Sequence, residues 1–407
     1  MNPLKKAYCR IYQTLFHLAL PLLPYRLPKI YDHVSELPAL LNVLKVDSIL
    51  LVTDSFLRSS GLTKELENVL AEAKIRCAVY DRTRPNPTVH NVEEALELYY
   101  SANCTAMIAF GGGSSIDCAK AVGARIAYPK RTMQQLKGNL RVLRKLPPLI
   151  AIPTTAGTGS ETTLTAVITD AEAKHKYTMN DFPLIPHYAV LDPKVTFTLP
   201  PSLTATTGMD ALTHAVEVYI GRSTSKETRA MSIEAVQLIF GNIETAYNDG
   251  TNETARKHML RAAFLAGAAF SKSYVGYVHA VAHSLGGQYN IPHGLANSVL
   301  LPIFLEAYGD AIVPQLSELA VAAGLADAQT PAKQAADAFI QAVRGLNARM
   351  GIPTTLQGIL KEDIPQMAKH ADREANPLYP VPVLMDRAAL ETFYVKVADW
   401  GNENAGT

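Results

Sequence analysis

One aspartate and four histidines in the second half of the chain carry the strongest chemical signal in the sequence. Asp210 and His214 are four residues apart, so both project from one face of a predicted helix. His279 and His283 repeat that spacing, and His293 follows shortly after them. One carboxylate with two or three imidazoles is a common ligand set for a catalytic divalent metal that keeps a position open. The pattern therefore predicts a metal site.

The spacing alone leaves the ligand set open. Five candidates are one too many for a four-ligand site, and the spacing does not decide between His279 and His283. Taken singly, each of these histidines is more often a satisfied core residue than a ligand, so their grouping is what favours a metal. His258 stands apart from the group beside Lys257 in a helical stretch, and we interpret it as a surface residue.

Two glycine-rich segments indicate a phosphate-binding site. Residues 111–115 (GGGSS) lie directly after a predicted strand and directly before a predicted helix. Successive glycines let the backbone approach a ligand closely, and a helix N-terminus favours phosphate, although the run does not match the GxGxxG fingerprint. Residues 153–161 (PTTAGTGSE) follow a neighbouring strand, where ligands of open α/β sheets bind. The alternatives are a plain strand-to-helix turn and a plain loop.

Asp54 has two interpretations of equal weight. It ends the first strand of the alternating region, where a carboxylate can accept hydrogen bonds from a ribose diol and so favour NAD over NADP. In the usual fingerprint the acidic residue follows the glycines, whereas Asp54 precedes them. The other interpretation is a helix N-cap for the segment that follows.

The elements around these motifs predict two kinds of domain. Residues 46–200 alternate short strands with helices, which is typical of a mainly parallel sheet with helices on both faces. After Pro200 and Pro201 the sequence becomes rich in Ala, Leu, Glu and Lys, which favours a helical domain. We expect an N-terminal arm over 1–40, an α/β domain over 41–200 and an all-helical domain over 201–407. The predicted strands are 48–53, 76–80, 106–110, 149–152 and 189–191.

The composition excludes several classes of protein. The chain has 407 residues, 48% hydrophobic and 18% charged, which is globular rather than disordered material. A net charge of +1 gives no sign of a nucleic-acid surface. Four scattered cysteines without a CxxC pair indicate buried or free thiols in a reducing compartment, as in the cytoplasm. The apolar stretch 11–23 is too short and too interrupted to span a bilayer, and we interpret it as a packing or oligomer-contact arm, with export and membrane association as the alternatives.

These motifs resemble the iron-containing, or group III, alcohol dehydrogenases. The resemblance runs from about Asp47 to about Ile364, and its nearest members are NAD-linked lactaldehyde–propanediol and ethanol or butanol oxidoreductases. The first 40 or so residues do not resemble the family's usual start. The matching segments are VTD (52–54), NPT (86–88), GGGSSIDCAK (111–120), PTTAGTGSE (153–161), GMDALTHAVE (208–217) and GYVHAVAHSLGGQYNIPHG (276–294).

The resemblance implies a dinucleotide-binding α/β domain followed by an all-helical metal domain, a short alcohol or aldehyde as substrate, and a homo-oligomer. It implies Fe²⁺, or Zn²⁺ or another divalent ion, bound by Asp210, His214, His279 and His293. His283 then lies near the substrate and is not a ligand. It is either a proton relay to solvent or a residue that packs in or shapes the substrate site. The implied NAD contacts are Asp54, Asn86, Gly112, Gly113, Ser114, Asp117, Thr154, Thr155, Thr158 and Lys176.

Three other functions are weighed against this one. A dehydroquinate synthase-like lyase needs a basic pocket, but the ligand-bearing segments 208–217 and 276–294 contain no Arg or Lys. Glycerol dehydrogenases lack the full set of one aspartate and three histidines. A non-enzymatic nucleotide-binding protein predicts an incomplete metal set, whereas all four ligands are present.

Overall fold

The computed structural model describes residues 1–171 and 175–400. Its strands are β1 (Lys29–Tyr31), β2 (Ser48–Val52), β3 (Arg76–Tyr80), β4 (Ala106–Gly111), β5 (Gly138–Asn139), β6 (Leu149–Pro153), β7 (Thr165–Asp170), β8 (His175–Asn180), β9 (Tyr188–Val190), β10 (Leu356–Gln357) and β11 (Ala398–Asp399). Its helices are α1 (Pro3–Ala19), α2 (Leu37–Val43), α3 (Ser55–Ser59), α4 (Lys64–Glu72), α5 (Val89–Ser101), α6 (Gly113–Ala127), α7 (Met133–Leu136), α8 (Pro201–Ile220), α9 (Lys226–Asn248), α10 (Glu253–Ser273), α11 (Tyr277–Tyr289), α12 (His293–Tyr308), α13 (Val313–Ala322), α14 (Ala332–Arg349), α15 (Ile364–Ala375) and α16 (Arg387–Val397).

The chain forms two compact units. One comprises residues 24–199 and 251–271, and the other comprises 1–23, 200–250 and 272–407. The fold class predicted from the sequence, an α/β part with a parallel sheet followed by a helical part, is confirmed. The limits that we expected for the arm and the two domains stay a prediction.

A six-stranded parallel sheet forms the centre of the α/β unit. Its strand order is β1-β9-β6-β4-β2-β3, and every neighbouring pair is parallel. Successive residues of each strand point to opposite faces, so Ile49 and Leu51 join one core cluster while Leu50 and Val52 join the other. Because both faces are covered, the central strands are apolar throughout, as expected for parallel sheets.

A smaller sheet lies in the same unit. Strands β7 and β8 form an antiparallel hairpin, and β5 pairs with β8 in parallel. This sheet lies near the predicted cofactor residues, because β7 begins shortly after the segment 153–161 and β8 contains Lys176.

The other unit is built from helices and encloses the predicted metal residues. Helix α8 is buried continuously from Gly208 to Ile220, and α12 is buried for most of its length. The only described strands here are the two-residue pair β10 and β11, a small departure from the all-helical prediction.

Among the described residues, 293–322 are long and apolar enough to cross a membrane by length and composition alone. Half of the most apolar window is buried in the protein, so this is weak evidence for a membrane span.

Candidate metal centre and dinucleotide site

Three helices place the predicted metal residues in one cluster. Helix α8 carries Asp210 and His214 one turn apart, α11 carries His279 in its first turn, and α12 begins at His293. Each of the four offers one ligand atom, and all four atoms lie within 4.8 Å of one another. Asp210, His214 and His279 are buried, and His293 is partly exposed. The cluster is therefore closed on the protein side and open at His293.

The cluster has the donors that a divalent cation needs. The Nδ2 group of Asn297 donates to Asp210 Oδ1 at 2.7 Å and lies 3.2 Å and 3.1 Å from Nε2 of His279 and His293. Three acceptor atoms thus surround one N–H₂ group, in the way that ligand atoms would surround a cation. A set of one carboxylate and three imidazoles suits Fe²⁺ or Zn²⁺.

Glu217 fixes the orientation of the His279 ring. Its Oε2 lies 2.6 Å from His279 Nδ1, and its two oxygens also accept the backbone N–H groups of Gly276 and Val278 at 2.9 Å. With Nδ1 bound to Glu217, Nε2 is the nitrogen that faces Asp210. Burial lowers the pKa of His279 well below its usual value, so the ring is neutral and its Nε2 lone pair is free to ligate.

The structure separates His283 from the ligand group. Its Nδ1 lies 2.6 Å from Glu374 Oε1, its side chain is 45% exposed, and its ring stacks on His293 with centroids 5.1 Å apart. Glu374 also accepts the Tyr379 hydroxyl at 2.7 Å. Burial is the largest single effect and raises the pKa of Glu374, but the charge and hydrogen bond of His283, the Tyr379 hydrogen bond and His293 together outweigh it, so the net pKa is lowered. The pair is thus a carboxylate and an imidazole with access to water.

In the α/β unit, the two glycine-rich segments face each other at the carboxyl ends of β4 and β6. The Thr154 N–H donates to the Gly111 carbonyl at 3.1 Å. A Cβ added to Gly113 would meet Thr158 Oγ1 at 3.1 Å, and one added to Gly112 would meet Thr155 at 3.5 Å. Gly111 has φ +151° and no space for a side chain, because an added Cβ would lie 2.5 Å from Ser115 Oγ.

The remaining predicted cofactor residues surround this pair of loops. The Oδ1 atom of Asn86 accepts a hydrogen bond from Lys176 Nζ at 2.6 Å, and the backbone N–H of Asn86 donates to Ser114 Oγ at 3.3 Å. Asp117 accepts Ser160 Oγ at 2.7 Å and the Val167 N–H at 3.0 Å. The hydrogen bonds thus connect the start of α6, the segment 153–161 and strand β8.

Asp54 lies at the carboxyl end of β2, beside β4. It caps α3, with Oδ1 accepting the Leu57 N–H at 2.9 Å. The helix-cap interpretation is therefore confirmed, and Oδ2 is not part of that cap. The ribose interpretation stays a prediction.

Two buried groups near the loops were missed from the sequence. Lys120 is fully buried, and its Nζ donates to Thr163 Oγ1 and to the carbonyls of Thr163 and Thr165 at 2.8–2.9 Å. Burial lowers the pKa of Lys120 to about 8 and raises that of Glu161 to about 7. Lys120 ties α6 to the residues directly after the segment 153–161, and its place at the end of GGGSSIDCAK was the available signal.

Glu217 and Asn297 were missed as well. Glu217 follows Asp210 and His214 on α8 with the helical spacing i, i+4, i+7, and Asn297 follows His293 by four residues on α12. Both positions therefore share a face with known candidates. A search one helical turn beyond each candidate ligand, on the same face of its helix, would have found both residues.

Comparison with known proteins places this fold and site in a family. Residues 30–193 match the family model described as iron-containing alcohol dehydrogenase, and residues 204–397 match the model for the C-terminal part of that family. The chain belongs to the iron-containing alcohol dehydrogenases. It is accordingly a metal-dependent alcohol/aldehyde oxidoreductase, and the resemblance inferred from the motifs is confirmed.

Individual relatives agree with the family models. The chain is 38% identical over 330 residues to alcohol dehydrogenase 4 of Saccharomyces cerevisiae, covering 80% of this chain and 85% of the relative. It is 38% identical over 331 residues to 1,3-propanediol dehydrogenase of Klebsiella pneumoniae, with the same coverage. Among solved structures, a 1,3-propanediol oxidoreductase superposes with a TM-score of 0.87 at 34% identity, covering 92% of this chain and 99% of the other.

A further solved structure carries a cofactor. Sulfoacetaldehyde reductase from Bifidobacterium kashiwanohense in complex with NAD⁺ superposes with a TM-score of 0.82 at 28% identity, covering 93% of this chain and 99% of the other.

The cysteines agree with the sequence analysis. All four described cysteines are free thiols, and Cys77 alone among them is not buried.

Proposed function

We propose that this chain catalyses reversible hydride transfer between NAD(H) and a short-chain alcohol or aldehyde, with iron as its metal. The observation that carries the proposal is the cluster of one carboxylate and three imidazoles, of which only His293 is partly exposed. The names of the relatives, an alcohol dehydrogenase and 1,3-propanediol dehydrogenases, support a small alcohol as substrate. The proposed ligands are Asp210, His214, His279 and His293.

The proposed NAD site is the pair of loops in the α/β unit. The N-terminus of α6, preceded by glycines that leave no side chain in the way, suits the pyrophosphate. Asp54 offers a carboxylate for the ribose diol and would repel the 2′-phosphate of NADP. A relative solved with NAD⁺ supports this cofactor. The proposed contacts are Asp54, Asn86, Gly112, Gly113, Ser114, Asp117, Thr154, Thr155, Thr158 and Lys176.

The residues of the cluster have distinct proposed roles. A bound divalent ion would supply Lewis-acid polarisation of the substrate oxygen, and bound NAD(H) would accept or supply the hydride. Asp210 contributes the one negative charge among the ligands and offsets part of the ion's charge. Glu217 holds His279 in the tautomer that ligates.

His283 is the proposed proton relay. Its ring is half exposed and hydrogen-bonded to Glu374, so it can exchange a proton with water on one side while Glu374 holds its orientation on the other. The stacking on His293 keeps it beside the open side of the cluster.

We also propose a cytoplasmic location and a homo-oligomeric state. Free thiols without a disulfide among the described residues support a reducing compartment. The oligomer rests on the family alone.

The proposal is tested by assaying anaerobically purified protein for NADH-dependent reduction of a panel of short aldehydes, before and after chelation. We expect turnover with NADH, little with NADPH, and loss of turnover on chelation that Fe²⁺ restores. Turnover that survives complete metal removal, or a metal-loaded protein inert towards every aldehyde, would refute it.

A further inference from the structure

Helix α1 binds an irregular segment near the end of the chain. This segment, residues 376–386, connects α15 to α16 and contains neither helix nor strand. Four of its backbone carbonyl groups accept hydrogen bonds from two side chains of α1, Arg10 and Gln13, at 2.7–3.3 Å. The four carbonyls belong to Pro377, Tyr379, Val381 and Pro382. Backbone groups outside regular structure need such partners, so α1 helps to fix the course of the segment.

Two kinds of contact from α1 meet at Tyr379. Gln13 is buried, its Oε1 accepts from Arg10 at 2.8 Å, and its Nε2 donates to the Tyr379 carbonyl at 2.7 Å. Phe16 lies three residues further along the helix and meets the Tyr274 ring edge-on, with centroids 5.1 Å apart. The Tyr274 ring in turn lies 6.3 Å from the Tyr379 ring. Both the backbone and the side chain of Tyr379 are thus supported from the side of α1.

Tyr379 in turn fixes one oxygen of Glu374. The Tyr379 hydroxyl donates to Glu374 Oε1 at 2.7 Å, and the same oxygen lies 2.6 Å from His283 Nδ1. A carboxylate accepts hydrogen bonds and donates none, so the proton of the shorter bond lies on Nδ1. The position of this oxygen therefore sets the orientation of the His283 ring, which stacks on His293 at the open side of the metal cluster.

We propose that α1 is a brace for the proton relay: Gln13 holds Tyr379, and Tyr379 holds the Glu374 oxygen that orients His283. The inference rests on the relay role proposed above for His283. Gln13 and Tyr379 are positioning residues in this account, because they act through Glu374. Helix α1 ends before residue 30, where the match to the family model begins, so the family activity does not assign this role.

The exposure of His283 makes such support relevant to turnover. Its side chain is half exposed, so close packing alone does not lock the ring, and the hydrogen bond to Glu374 sets its orientation. Proton transfer requires the imidazole to lie within hydrogen-bond reach of its partner, and a displacement of about 1 Å can cost about 100-fold in rate. A contact that only stabilises the fold would have no such effect through His283.

The test removes single polar groups of the brace and measures whether the effect depends on His283. Tyr379→Phe deletes only the hydroxyl, and Gln13→Met deletes the donor but keeps an unbranched side chain. Each change is made in the wild type and in His283→Gln, and kcat for aldehyde reduction is measured beside the KM for NADH. We expect His283→Gln alone to lower kcat by about 100-fold or more. Each brace variant should lower kcat by about tenfold in the wild type, leave the KM for NADH unchanged, and add no further loss in His283→Gln.

Two variants serve as matched controls. Tyr219→Phe removes the hydroxyl of another buried tyrosine, which donates to Glu318. Thr14→Met introduces the same side chain as Gln13→Met at the next position, which is exposed. Both controls should keep the kcat of the wild type.

Crystal structures of the same variants provide a measurement that does not depend on turnover. In Tyr379→Phe and Gln13→Met, the hydrogen bond between Glu374 and His283 should be lost or the His283 ring should be rotated. Both features should stay as they are in the two controls.

A loss of kcat that disappears in His283→Gln, together with a displaced His283 ring, supports the proposal. An equal loss in both backgrounds overturns it, because a general destabilisation acts whether or not His283 is present. Full kcat in Tyr379→Phe and Gln13→Met, or in His283→Gln, overturns it as well. A wild type without aldehyde turnover refutes the proposed function instead, and the position of the His283 ring in the crystal structures then decides about the brace.

Discussion

At the residue scale, Glu217 determines which nitrogen of His279 faces the metal ligands. Replacing it by Gln removes the charged acceptor of the His279 Nδ1 hydrogen bond while keeping the volume of the side chain. We expect Glu217→Gln to weaken metal affinity by about 10- to 100-fold, the usual effect of losing such an orienting carboxylate. Competition with a chelator measures this directly.

The matched control is Glu306→Gln on α12, an exposed carboxylate that pairs with Arg344. It should leave metal affinity unchanged. Equal metal affinity of Glu217→Gln and the wild type would mean that His279 does not depend on Glu217 for its orientation.

Glu161 predicts a pH dependence of stability. Burial raises its pKa from 4.5 to about 7. Because the folded pKa is the higher one, the folded state binds the proton more tightly, and the associated stability is complete below pH 4.5 and is lost as pH rises through 7. A glutamine cannot lose that proton, so Glu161→Gln should gain up to about 3 kcal/mol relative to the wild type between pH 4.5 and 8.

The measurement is the free energy of unfolding of metal-free wild type and variant across that range by chemical denaturation. Parallel pH profiles would show that the pKa of Glu161 is the same in the folded and the unfolded protein, contrary to this account.

At the residue scale, the sequence predicts a site residue where helical spacing places it on the same face as another candidate. Asp210, His214, His279 and His283 came from i, i+4 pairs, because both members of a pair share one helix. Spacing could not separate His279 from His283, since both lie on one face of α11, and the choice came from family resemblance. Glu374, the partner of His283, lies 91 residues away in sequence, and no local pattern connects them.

At the element scale, helix α10 packs against the segment 153–161 through two glycines. A Cβ added to Gly267 would lie 2.6 Å from Thr162 Oγ1 and 2.7 Å from the Gly159 Cα. Gly267→Ala should therefore push this segment away from α10, destabilise the protein and raise the Kd for NADH. Fluorescence titration with NADH and thermal melting measure the two effects.

Gly241 in α9 provides the matched control, because an added Cβ there meets nothing within 4 Å. Gly241→Ala should leave NADH binding unchanged and stabilise the protein by about 0.5–1 kcal/mol, since alanine loses less backbone entropy in a helix. NADH affinity that is unchanged by Gly267→Ala would indicate that the segment 153–161 does not contact the cofactor.

Helices and strands with one clear pattern of apolar residues were predictable from the sequence, and elements without such a pattern were not. The five predicted strands agree with β2, β3, β4, β6 and β9 to within one residue at each end, because fully buried parallel strands are short apolar runs between breakers. The bounds of helix α12 are not predictable from the local pattern, because Pro302 lies inside it and a proline usually ends a helical pattern. Strands β7 and β8 pair with each other in a separate three-stranded sheet, and only alternate residues in them are apolar and buried, so neither strand is a continuous apolar run.

At the scale of the whole molecule, composition predicts the fold class but does not predict which segments of the chain belong to which compact unit. The change of texture at Pro200 coincides with a limit of the helical unit, yet residues 251–271 group with the α/β unit and residues 1–23 with the helical one. Such crossings depend on long-range packing, which a local change of composition does not record. The arm predicted at the N-terminus is an ordered helix docked on the C-terminal region.

The central claim is that four side chains from α8, α11 and α12 hold one catalytic metal. The most direct test is the metal content of anaerobically purified wild type and His279→Ala, measured by elemental analysis beside turnover with NADH and an aldehyde. The account predicts about one divalent ion per chain in the wild type, with both metal and turnover lost in His279→Ala. A His279→Ala protein that keeps its metal and its turnover would contradict it.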